Sequence, residues 1–417
     1  MDALRVLNAA DVEEVVRAAI ADEQPLEIVG HGTKRGIGQV TATNAVLDLS
    51  ALNAVVAYEP NELIITVQAA APLADVLSLI DSKNQQFSFE PMDTAPLLGM
   101  PGRGAQGRGT IGGMIAAGLA GPRRIKAGGA RDHLLGAHAV SGFGDSFKTG
   151  GKVVKNVTGY DLCKLLAGSW GTLAVMTEVT LKVMPRPEAE RTLVLRGLDD
   201  LRANQAMTAA LGSAFDVSGA AHLPASASQP EIEALARIGA PGEPVTVLRL
   251  EGITASVAHR AASLAGQLAP FGTAEIIEDA ASAAVWSALR DVLPFAAGGP
   301  LGDRPVWRIV CPPAVGGALG QTLAREMGAE VIYDWGGGLI WAALPPADDA
   351  GAALVRNRVQ AVSGHATLLR ASDAVRLAVD VFQPQAPGVA ALEERVRHSF
   401  DPKIILNRGR IRRTVTP

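Results

Sequence analysis

Residues 90–109 read EPMDTAPLLGMPGRGAQGRG and run straight into TIGGM. The junction contains G-x-G-x-x-G at Gly107, Gly109 and Gly112, with Asp132 20 residues beyond the last of them. A nicotinamide-binding βαβ unit has the same glycines and a ribose-binding acid at that distance. It also needs a buried apolar strand leading directly into the first glycine. Here the first glycine follows MPGRGAQ, whose proline and glycines do not make a central strand. The doubly wound nicotinamide fold is therefore excluded at this position, and a long loop without a period of its own remains.

The flanking sequence supports a different plan. PLEIVGHGTKRG is a short apolar strand entering a glycine loop, Gly30 to Gly36, with no helix after it. Val46, Leu47 and Leu49 form another short strand, and VVAYEP and ELIITVQAAA are strands joined at Glu59-Pro60-Asn61. The N-terminal segment places Val12, Val15, Val16 and Ala19 on one helical face. PLADVLSLIDSK does the same with Leu73, Val76, Leu77 and Ile80, after Pro72 in its first turn. HLLGAHAVSGFGDSFKTGG reads as two strands about a Gly-Asp turn. VTGYDLCKLLAGSWGTLAVMTEVTLKV reads as a helix, with Asp161 as its cap, then a turn and a long strand.

From Thr192 the pattern changes to strands alternating with helices, with paired strands between them, as in AEVIYDWGGGLIWAAL. That fits an antiparallel sheet covered on one face by helices, with a possible division into two related halves. The fold class expected is α+β. The boundaries expected are 1–187 (subdomains about 1–56 and 57–187), a cap-like region 188–390, and a C-terminal helix and tail 391–417 returning to the first region.

Composition narrows the function. A net charge of −4 over 417 residues, with no basic run interleaved with aromatics, argues against nucleic-acid binding. Two cysteines, Cys163 and Cys311, supply neither a zinc site nor an iron–sulfur cluster. The sequence carries no signal-peptide pattern and no apolar run of roughly 18–20 residues, so a cytoplasmic protein reaching a membrane only through partners is expected. In the first glycine loop, successive backbone amides beside Lys34 and Arg35 form an anion-binding nest or a plain surface turn.

Four segments occur in an order that carries a resemblance: IVGHGTKRG; GTIGGMIAAGLAGPRR; ARDHLLGAHAVSGFGD; and GGKVVKNVTGYDLCKLLAGSWGTLAVMTEVTLKVMPRP. Together they resemble the FAD-binding domain shared by vanillyl-alcohol oxidase, D-lactate dehydrogenase and UDP-N-acetylenolpyruvoylglucosamine reductase, the PCMH type. GLAGPRR, GYDL, DWGGGLIW, SGHAT and DPKIILNRGR further resemble the FAD-binding E subunits of bacterial glycolate oxidases, from about residue 25 to 411 and least between 195 and 325.

The resemblance implies FAD lying between two α+β subdomains. Its pyrophosphate would rest on Gly30, His31, Gly32, Thr33 and Lys34. Thr110, Ile111, Gly112 and Gly113 would run beside the pyrophosphate and flavin, and Gly168, Gly171, Thr172 and Val175 beside the adenosine end. A side chain at Gly112 is then expected to cost cofactor rather than fold. His31 admits a covalent tether or a loop role; the cofactor is expected to be non-covalent.

Arg123 and Arg124 face either the cofactor or solvent. Arg131 and Asp132 are expected to pair with each other. His365 is the candidate catalytic base, and Arg370 and Arg376 are candidates to hold a substrate carboxylate. His133, His138, His222, His259 and His398 are expected to be structural. No metal is expected.

The activity implied is oxidation of glycolate to glyoxylate with a partner flavoprotein subunit and an iron–sulfur subunit. Trp335, Trp341 and the tail RIRRTVTP are either docking elements or, for the tryptophans, a packed hairpin. A free-standing 2-hydroxyacid dehydrogenase and a non-catalytic flavin scaffold are the alternatives. Two departures from the subunit pattern stand out: a long loop at 93–108, and Arg408 in place of the proline of an NPG ending, which leaves that turn less constrained.

Overall fold

The structure is a computed structural model. It describes residues 2–41, 43, 45–99, 109–151, 159–227 and 232–413. Gly107 and the loop at 100–108 lie outside the described residues.

Three sheets are built by the first part of the chain. β1 (Asp2–Arg5), β2 (Leu26–Val29) and β3 (Ala45–Asp48) form a parallel sheet in the order β1-β3-β2. The helix Ala9–Ala21 makes its crossover. Asn8 caps it by accepting the Asp11 amide at 3.0 Å, and Val12, Val16 and Ala19 are buried beneath it. The second sheet uses β4 (Val55–Glu59) and β5 (Ile64–Gln68). Between them a short 3-10 turn ends on Leu63 in the left-handed region. After β6 (Gln85–Gln86) come β7 (Leu134–Ser141), β8 (Ser146–Gly150), β9 (Ala174–Lys182) and β10 (Met184–Pro185). Their antiparallel order is β4-β5-β9-β7-β8, and β6 pairs β10 as a separate ribbon.

The helix expected at 161–167 shrinks to one turn, Cys163–Leu166. Asp161 does not cap it. Its carboxylate lies 3.3 Å from Lys164 Nζ, and Leu162 occupies the cap position. Arg131 and Asp132 do not pair as expected: Asp132 accepts the Gly129 amide at 2.8 Å, closing its own turn, while Arg131 is exposed.

The distal part forms one eight-stranded antiparallel sheet from β11 (Ala189–Arg196), β12 (Gly219–Leu223), β13 (Val245–Gly252), β14 (Glu275–Glu278), β15 (Val306–Val310), β16 (Glu330–Asp334), β17 (Leu339–Ala343) and β18 (His365–Arg370). Its order is β14-β11-β13-β12-β16-β17-β15-β18. Each set of four runs strand–helix–strand–strand–helix–strand, and β12 joins β16 at His222 opposite Tyr333. The two halves suggested by the sequence are thus a repeated βαββαβ topology joined edge to edge. β12, in VSGAAHLPA, was missed by sequence reading: alanines and glycine carry too little apolar signal, yet the strand is buried throughout.

Both faces of this sheet are covered, so its strands are apolar without alternation. Leu193, Leu248, Trp307, Ile309 and Tyr333 pack under the helices. Val194, Val247, Ile332, Trp341 and Leu369 face the first part of the chain, meeting Ile37, Met92, Leu97, Ala117 and Leu119. Trp335 and Trp341 belong to this interface at 7% and 3% exposure, so they are packed anchors and not docking elements.

The C-terminal helix Pro387–Phe400 leads back to the first sheet. Leu406 bridges Leu26 in parallel, and the Leu26 amide donates to Ile405 O at 2.9 Å. Asp401, fully buried, fixes the approach by accepting the amides of Ile405 and Leu406 at 2.9 and 2.7 Å. Arg408 compensates for the missing proline. Its guanidinium donates to Ile404 O at 2.9 Å and Lys403 O at 3.1 Å, closing the turn through a side chain.

A candidate FAD site between the first two sheets

β2 ends in a glycine loop whose amides, from Gly30 to Lys34, find no acceptor among the described residues. Five successive unpaired amides make an anion nest. Gly32 takes φ +76°, a left-handed turn that glycine adopts without strain. Opposite stands Thr110, cap of the helix Ile111–Ala117, accepting the Gly113 amide at 3.2 Å. The two segments touch: a Cβ on Gly30 would meet Thr110 Oγ1 at 2.8 Å. The turn Gly168–Gly171 hangs from the other end of that helix, with Gly168 and Trp170 amides donating to Ile115 O and Ala116 O.

These segments enclose a groove of about 800 Å³, its open mouth included. The structure brings together in its wall Gly30, His31, Gly32, Thr33, Lys34, Thr110, Gly112, Gly113 and Gly171. Four other expected residues stand behind the wall. Ile111 and Val175 are fully buried in neighbouring cores, their places in the groove being taken by Gly112, Ala174 and Met176. Thr172 spends its hydroxyl on Ser169 O at 2.7 Å, and Gly168 shapes the turn at φ +82°.

Electrostatics favour a phosphate-bearing ligand. Burial pushes the Lys34 ammonium down to about 8, with Asp93 partly opposing it, and the ammonium's hydrogen bond is to Thr33 Oγ1 at 3.4 Å. Burial also lowers His31, ahead of the opposing pull of Asp75 and Asp48, which favours a neutral imidazole. A long groove with an amide nest and an under-partnered ammonium fits a dinucleotide pyrophosphate.

Sequence reading missed Trp170, Asn407 and Arg410, all in the groove wall. Asn407 Oδ1 accepts the Ile28 amide at 2.8 Å, and its Nδ2 donates to Trp170 O at 2.7 Å, so it joins both sides of the groove. Arg410 lies beneath the nest, donating to Arg35 O, Ile37 O and the carboxylate of buried Glu27. The signal was present in LNRGR, but nothing local shows that a tail hundreds of residues away completes the loop.

The other candidates are placed elsewhere. His365 is exposed at the start of edge strand β18 and does not line the groove, so its position gives a catalytic base no reach. Arg370 is consumed by the carbonyls of Arg304, Leu97, Phe295 and Leu301. Arg376 is held by Gly38 O, Arg35 O and Asp373. Neither is free to bind a carboxylate. Arg123 faces neither cofactor nor solvent. It pairs with Glu251 at 2.6 Å, beside Arg249, which holds Glu90 through bonds of 2.7 and 3.0 Å. Burial pushes the Glu90 carboxyl up, but Arg249 and Arg123 outweigh it and hold it at about 2.

Comparison with known proteins settles the family. Over 95% of its length this chain is 30% identical to the glycolate oxidase subunit GlcE of Escherichia coli, covering 95% of that protein.

The chain belongs to the family of the glycolate oxidase subunit GlcE.

Residues 3–150 match the FAD binding domain family, so the cofactor of this flavoprotein family is FAD. The glycolate oxidase subunit GlcD of Bacillus subtilis is 31% identical over 58% of this chain and 49% of its own length. A D-lactate dehydrogenase of Anaerostipes hadrus is 28% identical over 46% of this chain and 38% of its own. Among solved structures, alkyldihydroxyacetonephosphate synthase superposes with a TM-score of 0.68, covering 97% of this chain and 76% of that one at 15% identity, which establishes the shared fold. The Ile111, Gly112 and Gly113 segment therefore sits in a FAD-binding fold. Gly112 also does more than line it: a Cβ there would meet Ala69 O at 2.8 Å and Ala69 Cβ at 2.9 Å. The expectation that Gly112 matters to cofactor but not to fold is corrected, because it is a helix–strand contact too.

Proposed function

We propose that this chain is the FAD-bearing subunit of a glycolate-oxidising complex, converting glycolate to glyoxylate and passing electrons to a partner flavoprotein subunit and an iron–sulfur subunit. The observation that carries this reading is the similarity to an E subunit along nearly the whole of both chains. Bound FAD would supply the acceptor for one hydride equivalent, two electrons and a proton. This chain's own residues bind and orient it: the nest at Gly30–Lys34 takes phosphate, and Asn407 ties the two walls.

Onward transfer needs an outside acceptor. The two cysteines lie in different cores, Cys163 under the five-stranded sheet and Cys311 under the eight-stranded one, and both are buried. Burial raises both thiols, Cys311 to about 11, which suppresses thiolate chemistry. They form no redox-active pair. No helix among the described residues is long and apolar enough to cross a membrane, so membrane association would run through partners.

The free-standing dehydrogenase reading draws support from the D-lactate dehydrogenase similarity, which is confined to under half of this chain. Purification decides between them. Co-expressed with its neighbours, the chain should copurify with two other subunits, and the assembly should reduce a dye acceptor with glycolate. The yellow chain alone should turn over slowly or not at all. A lone chain oxidising glycolate at an ordinary enzymatic rate, on the order of 1–10³ s⁻¹, overturns the complex-subunit reading.

A further inference from the structure

Three buried arginines between the two parts of this molecule are well partnered. Arg249 spends its guanidinium on Glu90 and Ser218, Arg370 on four backbone carbonyls, and Arg376 on two carbonyls and Asp373. Arg308 is different. It projects from β15 on the face opposite Trp307 and Ile309, toward the first part of the chain. Its guanidinium makes no hydrogen bond to any described residue, and its Nε is shielded from solvent without a partner. A buried donor left unmade is costly, and the Nε of this half-buried residue is one.

A second cation stands beside it. Arg124, from the one-turn helix Arg124–Ala127 of the first part, lies with its guanidinium carbon 4.9 Å from the centre of the Trp335 ring; that of Arg308 lies 5.1 Å from the same centre. The guanidinium of Arg124, an exposed residue, also makes no hydrogen bond to a described residue. Trp335 is a rigid platform. Its Nε1 donates to Gly121 O at 3.1 Å and its amide to Asp334 Oδ1 at 2.7 Å. Asp334 is the nearby carboxylate; burial pushes it up to about 7, against the pull of Arg249 and Arg308, and its Oδ1 accepts the Trp335 amide. Burial, with Arg124 adding to it, pushes Arg308 down to about 10.

Two guanidiniums brought against one ring by different parts of the chain repel, and Asp334 offsets that repulsion only in part. The arrangement becomes favourable when an anion arrives. A planar carboxylate is the ligand that guanidinium forks accept in pairs. Trp335 packs in the same apolar cluster as Ala117 and Trp170, and both of those line the cofactor groove.

We propose that Arg308 and Arg124, mounted on Trp335, form a carboxylate-binding site at the junction of the two parts, which takes the carboxylate of a small 2-hydroxyacid. The inference rests on the function proposed above and names the residues that would hold its substrate.

The test uses the FAD-loaded full chain and oxalate, a small dicarboxylate with no hydroxyl to oxidise. Oxalate should bind saturably, detected by calorimetry and by a change in the flavin spectrum, and binding should weaken with added salt. Arg308→Met should weaken it more than tenfold and Arg124→Met several-fold, with FAD content and Tm held. Arg308→Lys, which keeps the charge and loses the fork, should recover only part of the loss and covers the case in which Arg308→Met does not fold. Oxalate failing to bind the FAD-loaded chain, or binding equally to all variants, overturns the site. Glycolate turnover by the assembled complex separates this from the function itself. Turnover with a KM unmoved by Arg308→Met refutes the site and leaves the function standing. Oxalate binding that depends on both arginines, in a complex that does not oxidise glycolate, does the reverse.

Discussion

Asn407→Ala should loosen FAD although Asn407 lies far outside the segment that matches the FAD binding domain family. The side chain satisfies two backbone groups, the Ile28 N–H at 2.8 Å and the Trp170 C=O at 2.7 Å. Leaving each without its partner costs about 1–3 kcal/mol. Asn407 also sits at φ +44°, where alanine adds roughly 1 kcal/mol of strain that asparagine tolerates better. The total, on the order of 3–7 kcal/mol, divides between the stability of the empty protein and the affinity for cofactor. If about half falls on binding, Kd for FAD rises by roughly tenfold or more, since 1.4 kcal/mol is a factor of ten. The assay is reconstitution of the apoprotein with FAD, following flavin fluorescence, together with Tm with and without FAD. Arg408→Ala is the control, because its hydrogen bonds go to carbonyls of its own turn. Asn407→Ala holding FAD within threefold of the parent, while Arg408→Ala weakens it equally, would refute the role given to the tail.

Further outcomes follow from particular contacts. Lys34 in the empty groove loses its proton as pH rises through about 8, whereas phosphate beside it would keep it charged. FAD affinity should therefore be flat below about pH 8 and fall above it, by at most about tenfold per pH unit, with Lys34→Met abolishing the dependence. Gly112→Val should give insoluble or strongly destabilised protein through the clash with Ala69 O, while Gly113→Ala, whose new Cβ meets Thr110 Oγ1 at 3.1 Å, should stay folded; solubility and Tm read both. Glu90→Gln should destabilise in denaturant unfolding, but by less than the ~3–5 kcal/mol of breaking an isolated buried pair, because Glu251 stays 3.4 Å from Arg249. Acid precipitation should release yellow FAD into the supernatant, and colour retained in the pellet would show a covalent link.

The sequence made the groove legible because nests and close approaches need glycine, and glycine is visible. Gly30, Gly32 and Gly113 line one cavity because strand β2 and the helix Ile111–Ala117 bring their glycine segments together. Polar partners were harder. Asp161 and Asp132 looked like cap and ion pair from local spacing, but a one-turn helix and a tight turn gave them other roles. Arg370 and Arg376 looked available because a sequence cannot show which carbonyls surround a guanidinium. Arg308 carried no motif at all, since its distinction is the hydrogen bonds it lacks. Asn407 and Arg410 were seen as part of a resemblance, yet their work is done against Ile28, Trp170 and Ile37, contacts that only tertiary structure creates.

The ties between the two parts decide how the molecule works. Arg249 and Glu90 lie on opposite sides of the junction, and both are buried. Removing each from water costs several kcal/mol, offset only when their hydrogen bonds are intact. The same junction holds Trp335 Nε1 on Gly121 O, Arg370 on Leu97 O, the Ala297 amide on Pro96 O and Gln39 Nε2 on Val379 O. These bonds come from separate segments, so sliding the eight-stranded sheet by even one bond length would leave several buried groups unsatisfied together. A rigid-body opening is therefore disfavoured against smaller motions. The exposed Arg124 side chain and the open mouth of the groove are where movement costs least. Access to a bound FAD would then be a matter of side-chain motion at a fixed junction.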